Sequence, residues 1–541
     1  MAGMSAVSPE EIESEIVALL ERSEVAEAVG RARLALDRRI ETPLLLNLRA
    51  FWLEGENRPA EALVDLQRAR ALAPQDPAIA NALGLCLAKL GRLEEAYAAF
   101  RSSAELAPGF GPAHFNSGWS LEELGELDAA REAFEAAART DAKWPDPPAR
   151  LAALAARRGQ WELARTHAEH ALALAPDHAA AGIALAGAEL ATKSYAEAKA
   201  RLGRIIEHPR ISLQDRATAI GLLGDVLDAQ ARYGEAFAAY TAGNAVLRGV
   251  FEASAAVQAQ MPMSEYVQWL SDRFAGTAPW PKSEAADAEG PERLIFVLGF
   301  PRSGTTLLEE VLAAHPKAST TGERDALGVI VRDLFANPAQ VDRLETLDAA
   351  GIAEARTRYW EIVRGFGIPV EGRILIDKQP FNTIRLPLIA KLFPEAKVLF
   401  CLRDPRDVVL SCFRRRFALN AANAEFLTLE SAARLYDAVM RLAVVYRAKL
   451  PLSLIEIRNE DLVDDFDARI QTICDFAGMD WTDSFRDFAK HSSTRQVSTP
   501  SAAQIVRGLG REGLGYWRHY EAEMTPVLPL LNEWAERFGY A

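Results

Sequence analysis

Two stretches of the chain place cations and hydroxyl groups directly after an apolar run. The first is LIFVLGFPRSGTT, residues 294–306, where Arg302 follows a run of strand length and precedes a helical pattern. A glycine-containing loop between a strand and a helix points backbone N–H groups at one spot, and the positive end of the helix dipole adds to them. The sequence therefore predicts a site for phosphate or sulfate.

A nucleotide triphosphatase is the first alternative for this loop. Gly299 and Gly304 have the spacing of a P-loop, which would continue with Lys and then Ser or Thr. The lysine position holds Thr305, so the charge that contacts the transferring phosphoryl group is missing, while Arg302 supplies a cation from within the loop. A kinase or triphosphatase on a degenerate P-loop stays open, with less support.

The second stretch is KVLFCLRDPRDVVLSCF, residues 397–413, again a strand pattern followed by a helix pattern. Arg403 lies at the end of the strand and can bind a phosphate bidentately. Ser411 follows eight residues later, so both groups could converge on one anion if the helix folds back beside the strand. The alternative is that Arg403 forms an ion pair with Asp404 or Asp407.

Together the two stretches resemble the motifs of sulfotransferases that use 3′-phosphoadenosine-5′-phosphosulfate (PAPS), specifically bacterial enzymes with tetratricopeptide repeats (TPRs). The catalytic half, residues 292–541, is similar to tyrosylprotein sulfotransferases. This resemblance implies a PAPS-dependent sulfotransferase, which transfers a sulfuryl group to a hydroxyl of a protein tyrosine, a glycan or a small molecule and leaves PAP. It implies that the 5′ end of PAPS is bound by Arg302, Ser303, Gly304, Thr305 and Thr306, and the 3′-phosphate by Arg403 and Ser411.

The resemblance extends to three further stretches. ILIDKQPFN, residues 374–382, resembles a strand of the family that ends in a lysine, which implies that Lys378 contacts the bridging oxygen of PAPS. Residues 510–520, which include Arg511 and Trp517, resemble the family's segment that closes over the nucleotide, with a shorter spacing than in the small-molecule enzymes. SAAQIVR resembles a stretch near the donor and adds Ser501, Gln504 and Arg507 as binding residues.

Sulfuryl transfer is an in-line displacement by analogy with phosphoryl transfer, so Arg302 and Lys378 would stabilise charge on the leaving oxygen. The acceptor also needs a base, and Glu323 occupies the Gly-Glu position typical of the TPR-containing relatives. Tyrosylprotein sulfotransferases place their acid one residue later, where this chain has Arg324; Asp325 is the reserve candidate. Alternatively, Glu323 only complements a helix dipole. No metal is required, and no ligand cluster indicates one.

Apolar strand patterns alternate with helical patterns through this half, beginning at Leu294, Ile374, Lys397 and Leu452. Such alternation is typical of a central parallel sheet with helices on both faces. We therefore predict an α/β, P-loop-like sulfotransferase domain over residues 292–541.

The first half repeats itself every 34 residues, the period of TPRs, with six copies starting near residue 43. In each copy the eighth residue is small, the twentieth is alanine, and the twenty-fourth is usually large. Small residues let two antiparallel helices approach, and we expect the large ones to fill the space between successive pairs. The columns are Ala50, Gly84, Gly118, Ala152, Ala186 and Gly224; Ala62, Ala96, Ala130, Ala164, Ala198 and Ala236; and Leu66, Phe100, Phe134, Leu202 and Tyr240.

The predicted organisation is multidomain. A helical cap or degenerate repeat over residues 1–42 precedes an all-α TPR solenoid over 43–250, and a connecting helix and linker over 251–291 leads to the catalytic domain. The concave surface of the solenoid is expected to bind a protein or peptide, or to serve self-association into an oligomer. A non-catalytic TPR adaptor, whose second half has lost activity, is the remaining alternative.

Composition limits the partners and the compartment. The net charge of −14 opposes general attraction to nucleic acid polymers or anionic lipid. No apolar run is long enough to span a bilayer, and the start of the chain is acidic where a secretory signal would be basic. The four cysteines, Cys86, Cys401, Cys412 and Cys474, lack metal-site spacing and fit reduced thiols, so we expect a cytoplasmic protein.

Overall fold

A computed structural model describes residues 8–253, 261–282, 290–494, 509–511 and 513–540. The chain divides into two compact units. The first comprises residues 1–156 and 160–185, and the second comprises residues 157–159 and 186–541.

The first unit consists of paired helices, as a solenoid of TPRs requires. Capping residues mark where three of these helices begin. The side chains of Ser8, Thr42 and Asp76 accept hydrogen bonds from backbone N–H groups in the first turn of the helix that follows. Each of these helices also has a proline in its first turn. The helices are α1 Pro9–Glu21, α2 Val25–Asp37, α3 Pro43–Gly55, α4 Pro59–Leu72, α5 Pro77–Lys89, α6 Leu93–Leu106, α7 Gly111–Glu123, α8 Leu127–Thr140, α9 Asp146–Arg157 and α10 Trp161–Leu174.

Large and small residues of the repeat columns meet inside one helix pair. A Cβ atom added at Gly84 would lie 2.5 Å from the ring of Phe100, and one added at Gly118 would lie 2.7 Å from the ring of Phe134. Each ring therefore occupies the space that the small residue of its own repeat leaves open. The sequence predicted contacts of the large residues between successive helix pairs, and it did not predict this contact within a pair. Close packing explains the alternation of small and large columns.

The second unit begins with helices that continue the repeat pattern. Gly224 and Tyr240 show the same pairing as the earlier columns, because an added Cβ atom at Gly224 would lie 2.5 Å from the Tyr240 ring. Helix α11, Ala179–Ala191, crosses the division between the units, and the next helices are α12 Tyr195–Glu207, α13 Leu213–Ala229, α14 Tyr233–Glu252 and α15 Met263–Ala275.

An α/β domain follows, built on a parallel sheet of five described strands in the order β2-β3-β1-β4-β5. Four of these strands were predicted from the sequence. The edge strand β2 was not, because three residues are too few to show periodicity. The strands are β1 Arg293–Gly299, β2 Ala318–Thr320, β3 Ile374–Lys378, β4 Lys397–Leu402 and β5 Ser453–Arg458.

Both faces of the sheet are covered. In β1, Phe296 packs into the larger apolar core with Trp360 and Tyr436, whereas Ile295 packs into a second core with Leu308. Two buried faces explain why β1 reads as a continuous apolar run. The helices are α16 Thr305–Ala313, α17 Gly328–Leu334, α18 Pro338–Glu345, α19 Ala349–Gly365, α20 Leu386–Leu392, α21 Pro405–Arg414, α22 Leu429–Lys449, α23 Asn459–Asp464, α24 Phe466–Ala477, α25 Phe488–Thr494 and two closing helices, Glu521–Met524 and Leu528–Arg537.

Among the described residues, no helix is long and apolar enough to cross a bilayer.

Candidate active site

The strand order brings three chain segments to one edge of the sheet. Strand β1 lies between β3 and β4, so the loops that leave its carboxyl end and those of its two neighbours meet there. Open parallel sheets bind ligands where neighbouring connections diverge in this way. A cleft of about 1280 Å³ opens at this edge, and Arg302, Glu323, Arg403 and Ser411 are among the residues that line it.

The loop after β1 has an unusual backbone. Arg302 has φ 71° and Gly304 has φ 94°, both in the left-handed region that favours glycine. The Ser303 hydroxyl donates to the Phe300 carbonyl at 2.6 Å, and a Cβ atom at Gly304 would collide with the side chain of Asn459. A non-glycine residue held at positive φ is a strained position of the kind found at binding sites. Helix α16 then begins at Thr305.

Arg302 and Ser411 meet although they lie 109 residues apart in the chain. The Nε of Arg302 donates to the Ser411 hydroxyl at 3.0 Å. Burial lowers the pKa of the Arg302 guanidinium to about 9, and the neighbouring cations Arg415 and Arg403 add to this effect. Burial and crowding of like charges both disfavour the charged guanidinium, so the site favours an added anion.

Arg403 follows β4 and contacts backbone carbonyls rather than acids. Its Nη1 donates to the carbonyl of Arg302 at 3.4 Å, and its Nη2 donates to the carbonyl of Gly513. Asp404 instead pairs with Arg406 at 2.7 Å. The pairing of Arg403 with an acid, which the sequence left open, is therefore not formed with Asp404. Within the described residues, the buried Nε of Arg403 has no hydrogen-bond partner.

Asp407 is also engaged elsewhere. Its two carboxylate oxygens accept from the backbone N–H groups of Gly515 at 2.6 Å and Trp517 at 2.8 Å. Burial raises the pKa of Asp407, and the nearby Arg403 and these N–H groups counteract part of the effect. Asp407 thus fixes the C-terminal segment, residues 513–520, beside Arg403.

Lys378, at the end of β3, lies between two carboxylates. Its ammonium donates to Glu323 at 2.6 Å and lies 3.2 Å from a carboxylate oxygen of Glu309. The Lys378 side chain is 0 % exposed, whereas that of Glu323 is 37 % exposed. Burial lowers the pKa of Lys378, but the two carboxylates outweigh burial and hold its pKa above the ordinary value. Lys378 thus holds Glu323 from the buried side, and the Glu323 side chain lines the cleft.

Glu309 is a member of this cluster that the sequence did not reveal. It lies on α16 with 2 % exposure, and the Thr320 hydroxyl donates to it. The sequence gives no signal for it, because its contact with Lys378 depends on how helix α16 packs against strand β3. A buried acid on the helix that follows an anion loop is unusual without a cationic partner.

The reserve base, Asp325, is held by a different residue. Both of its carboxylate oxygens accept from Arg385, at 2.6 and 3.0 Å. Arg324, the residue between the two candidates, donates to the carbonyl of Phe366 at 2.9 Å. Glu323 lies in a turn before helix α17, so it does not cap that helix.

Several predicted residues lie away from this cluster or cannot be placed. Ser501, Gln504 and Arg507 lie outside the described residues. Arg511 forms an exposed ion pair with Asp464 at 2.7 Å. Trp517 is buried, with the guanidinium of Arg406 4.3 Å from the ring centroid.

The family comparison agrees with these elements. Residues 294–483 match the model described as "Sulfotransferase family", and residues 78–110 and 111–143 each match a tetratricopeptide repeat. The chain joins TPRs to a sulfotransferase-family domain. The matched range includes the loop after β1, Glu323, Lys378 and the β4 region with Arg403 and Ser411.

Relatives of the chain include proteins that are named protein-tyrosine sulfotransferases. An uncharacterised protein of Aquifex aeolicus is 25% identical over 61% of this chain and 43% of its own length. Protein-tyrosine sulfotransferase 2 of Gallus gallus is 28% identical over 46% of this chain and 69% of its own length. The chain therefore spans less than half of the Aquifex protein. A Pseudomonas aeruginosa pilF structure matches 38% of this chain and 94% of its own, with 18% identity and a TM-score of 0.34.

Proposed function

We propose that this chain is a PAPS-dependent sulfotransferase that transfers a sulfuryl group to a hydroxyl acceptor. The contact between Arg302 and Ser411 carries the proposal. It joins the loop after β1 to helix α21 at 3.0 Å, and Arg403 contacts the same loop through the carbonyl of Arg302. Two anion-binding elements at one cleft suit a ligand with anionic groups at both ends, as an adenosine bisphosphate has.

The residues present fit such a donor. The loop after β1 would hold its 5′ end through Arg302, the N–H groups of residues 304–306 and the hydroxyls of Thr305 and Thr306. Arg403 and Ser411 would hold its 3′-phosphate, and the buried Nε of Arg403 offers a donor without a described partner. At Gly513, a Cβ atom would lie 2.8 Å from the Arg403 guanidinium, so glycine permits the close approach of the C-terminal segment.

When bound, PAPS would supply the sulfuryl group, whose bond to the 5′-phosphate oxygen breaks as the acceptor oxygen forms its bond to sulfur. Arg302 would stabilise the negative charge that grows on the leaving oxygen, and in a partly buried site this effect is larger than in water. Lys378, buried behind Glu323, would add positive charge near this oxygen while it keeps its contact with Glu323. The proton of the acceptor hydroxyl would pass to Glu323.

Glu323 is proposed as the base because it combines three properties. Its carboxylate is partly exposed at the cleft, Lys378 holds it at 2.6 Å, and within the described part of the chain no arginine forms a bidentate pair with it as Arg385 does with Asp325. A base must reach the acceptor while keeping a fixed position, and Glu323 meets both needs. Asp325 would first have to leave Arg385.

The acceptor class follows from the relatives only as a proposal. Several relatives are named protein-tyrosine sulfotransferases, so a tyrosine of a protein or peptide is proposed beside a glycan or small-molecule hydroxyl. The TPRs would bind the protein or peptide.

The four cysteines are free and buried, which fits the proposed reducing cytoplasm.

Thermal unfolding with PAP, the desulfated product, tests the proposal against the kinase alternative. PAP is expected to raise Tm by several degrees at a concentration about 100 times its Kd, because a ligand that binds only the folded state stabilises it. ATP with magnesium serves as the comparison. A shift with ATP and magnesium alone would favour a kinase or triphosphatase, and no shift with either would favour a non-catalytic adaptor.

A further inference from the structure

Helix α13, the first helix of the last repeat pair, carries two acids that face the catalytic elements. Asp228 pairs with Arg414 at 2.6 Å, and Asp225 pairs with Arg416 at 2.9 Å. Arg414 is the last residue of α21, the helix that also carries Ser411. Both ion pairs are largely buried, so the last repeat is packed directly onto the end of the predicted phosphate-binding helix.

Asp228 makes additional contacts that Asp225 does not. The Tyr516 hydroxyl donates to it at 2.8 Å, and the Tyr520 hydroxyl donates to its other carboxylate oxygen. One carboxylate thus accepts hydrogen bonds from two separate catalytic elements, α21 and the C-terminal segment. Asp228 also lines the cleft, and Asp225 is not among the lining residues.

The C-terminal segment is attached at its other end to the donor site. The Gly513 carbonyl accepts from Arg403, and the Gly515 N–H donates to Asp407. The segment therefore lies between Arg403 and Asp228, fixed at both ends. Ring contacts add to the second attachment, because Tyr233 of helix α14 stacks on His519 at 4.6 Å.

We infer that Asp228 is a positioning residue for donor binding: it holds α21 and the C-terminal segment together so that Arg403 and Ser411 face the 3′-phosphate. The inference rests on the proposed function and makes the last repeat part of the catalytic unit. Asp228 acts through other residues, so its loss changes donor affinity more than the chemical step.

Charge alone predicts the opposite result, which makes the inference testable. Asp228 is an acid on the wall of a cleft proposed to bind an anion, so its neutralisation by itself would strengthen anion binding. If Asp228 instead positions the donor site, its neutralisation weakens binding. The direction of the change therefore separates a positioning role from a simple charge effect.

The experiment measures the Kd of PAP by isothermal titration calorimetry for full-length wild type, Asp228→Asn and Tyr520→Phe. Tyr520 does not line the cleft, so Tyr520→Phe removes one hydrogen bond to Asp228 without altering the cleft or its charge. Losing buried hydrogen bonds to a charged group should weaken PAP binding about tenfold in Asp228→Asn and about threefold or more in Tyr520→Phe.

The matched control is Tyr359→Phe. Tyr359 is likewise a buried tyrosine whose hydroxyl donates to a carboxyl group, that of Asp377 at 2.6 Å, and neither residue is among those that line the cleft. Tyr359→Phe is expected to lower Tm about as much as Tyr520→Phe and to leave the Kd of PAP within about twofold of wild type. In transfer assays, Tyr520→Phe should raise the KM for PAPS with little change in kcat.

The outcomes are distinguishable. If wild type does not bind PAP, the proposed function fails. If wild type binds PAP and the folded Asp228→Asn and Tyr520→Phe variants bind it equally well or more tightly, the inference about Asp228 is overturned. Equal weakening by Tyr359→Phe would also overturn it, because the effect would then follow general stability. Should Asp228→Asn fail to fold, Tyr520→Phe decides the question.

Discussion

Replacing Arg403 should weaken the binding of PAP far more than the binding of 5′-AMP. Arg403 extends from the end of β4 into the cleft, and its only described hydrogen bonds go to the carbonyls of Arg302 and Gly513. It is proposed to contact the 3′-phosphate, which PAP has and 5′-AMP lacks. The selective loss on PAP would therefore locate the contact at the 3′ end of the nucleotide.

The magnitude follows from the contact that is lost. A hydrogen bond to a charged group contributes about 1.5–3 kcal/mol, and a bidentate arginine–phosphate pair lies at the upper end of that range. A loss of about 2–3 kcal/mol corresponds to a Kd about 30 to 150 times higher at 25 °C. Arg403→Ala should show this increase for PAP and less than about a threefold change for 5′-AMP. Arg403→Lys, which keeps the charge but not the fork, should lie between wild type and Arg403→Ala.

Isothermal titration calorimetry of both nucleotides provides the assay, and Arg385→Ala is the control. Arg385 lines the same cleft and also carries a positive charge, but its guanidinium is engaged by Asp325. Its removal should change PAP affinity little. Equal losses for PAP and 5′-AMP in Arg403→Ala would refute the reasoning, because Arg403 would then act on the whole site and not on the 3′-phosphate.

Three further predictions concern catalysis and stability. Glu323→Gln should lower kcat in transfer assays by about a hundredfold or more, while the Kd of PAP measured by calorimetry stays near wild type. Unchanged turnover would place the base elsewhere. Gly118→Val should lower the free energy of unfolding by about 1–3 kcal/mol, because its side chain would overlap the ring of Phe134, whereas valine at the open position Gly109 should cost much less in thermal melts. Burial raises the pKa of Asp377 to about 7. The folded protein then binds a proton that the unfolded chain has released, so stability falls as pH rises from about 4 to about 7, and Asp377→Asn should be more stable than wild type by about 1–3 kcal/mol at pH 8 with little difference at pH 4. A constant difference across pH would contradict that assignment.

The repeats could be predicted because packing restricts particular columns. The space beside Gly84 and Gly118 is filled by aromatic rings, so these positions stay small and the period is visible in one sequence. Strands β1 and β4 could be predicted because each contains a run of five apolar, buried residues. Strand β3 could be predicted from three apolar residues, Ile374 to Ile376, together with the resemblance of the stretch around Lys378. Strand β2 has only three residues, and its identity as a strand depends on pairing with β3.

The site was predictable only where function dictates local sequence. The loop around Arg302 and the pair Arg403 and Ser411 are marked by short motifs that each follow a strand. Asp228 carries no such mark, because its partner Arg414 lies 186 residues further along the chain. Glu309 was hidden for a similar reason: only the neighbouring strand shows that it faces Lys378. Contacts of this kind are determined by tertiary packing.

The most direct test of the central claim is a crystal structure of the full chain with PAP bound. The account predicts one PAP molecule in the cleft, with its 5′-phosphate at the loop after β1 beside Arg302 and its 3′-phosphate within hydrogen-bond distance of Arg403 and Ser411. A nucleotide bound elsewhere, or one whose 3′-phosphate points to solvent away from Arg403, would contradict it.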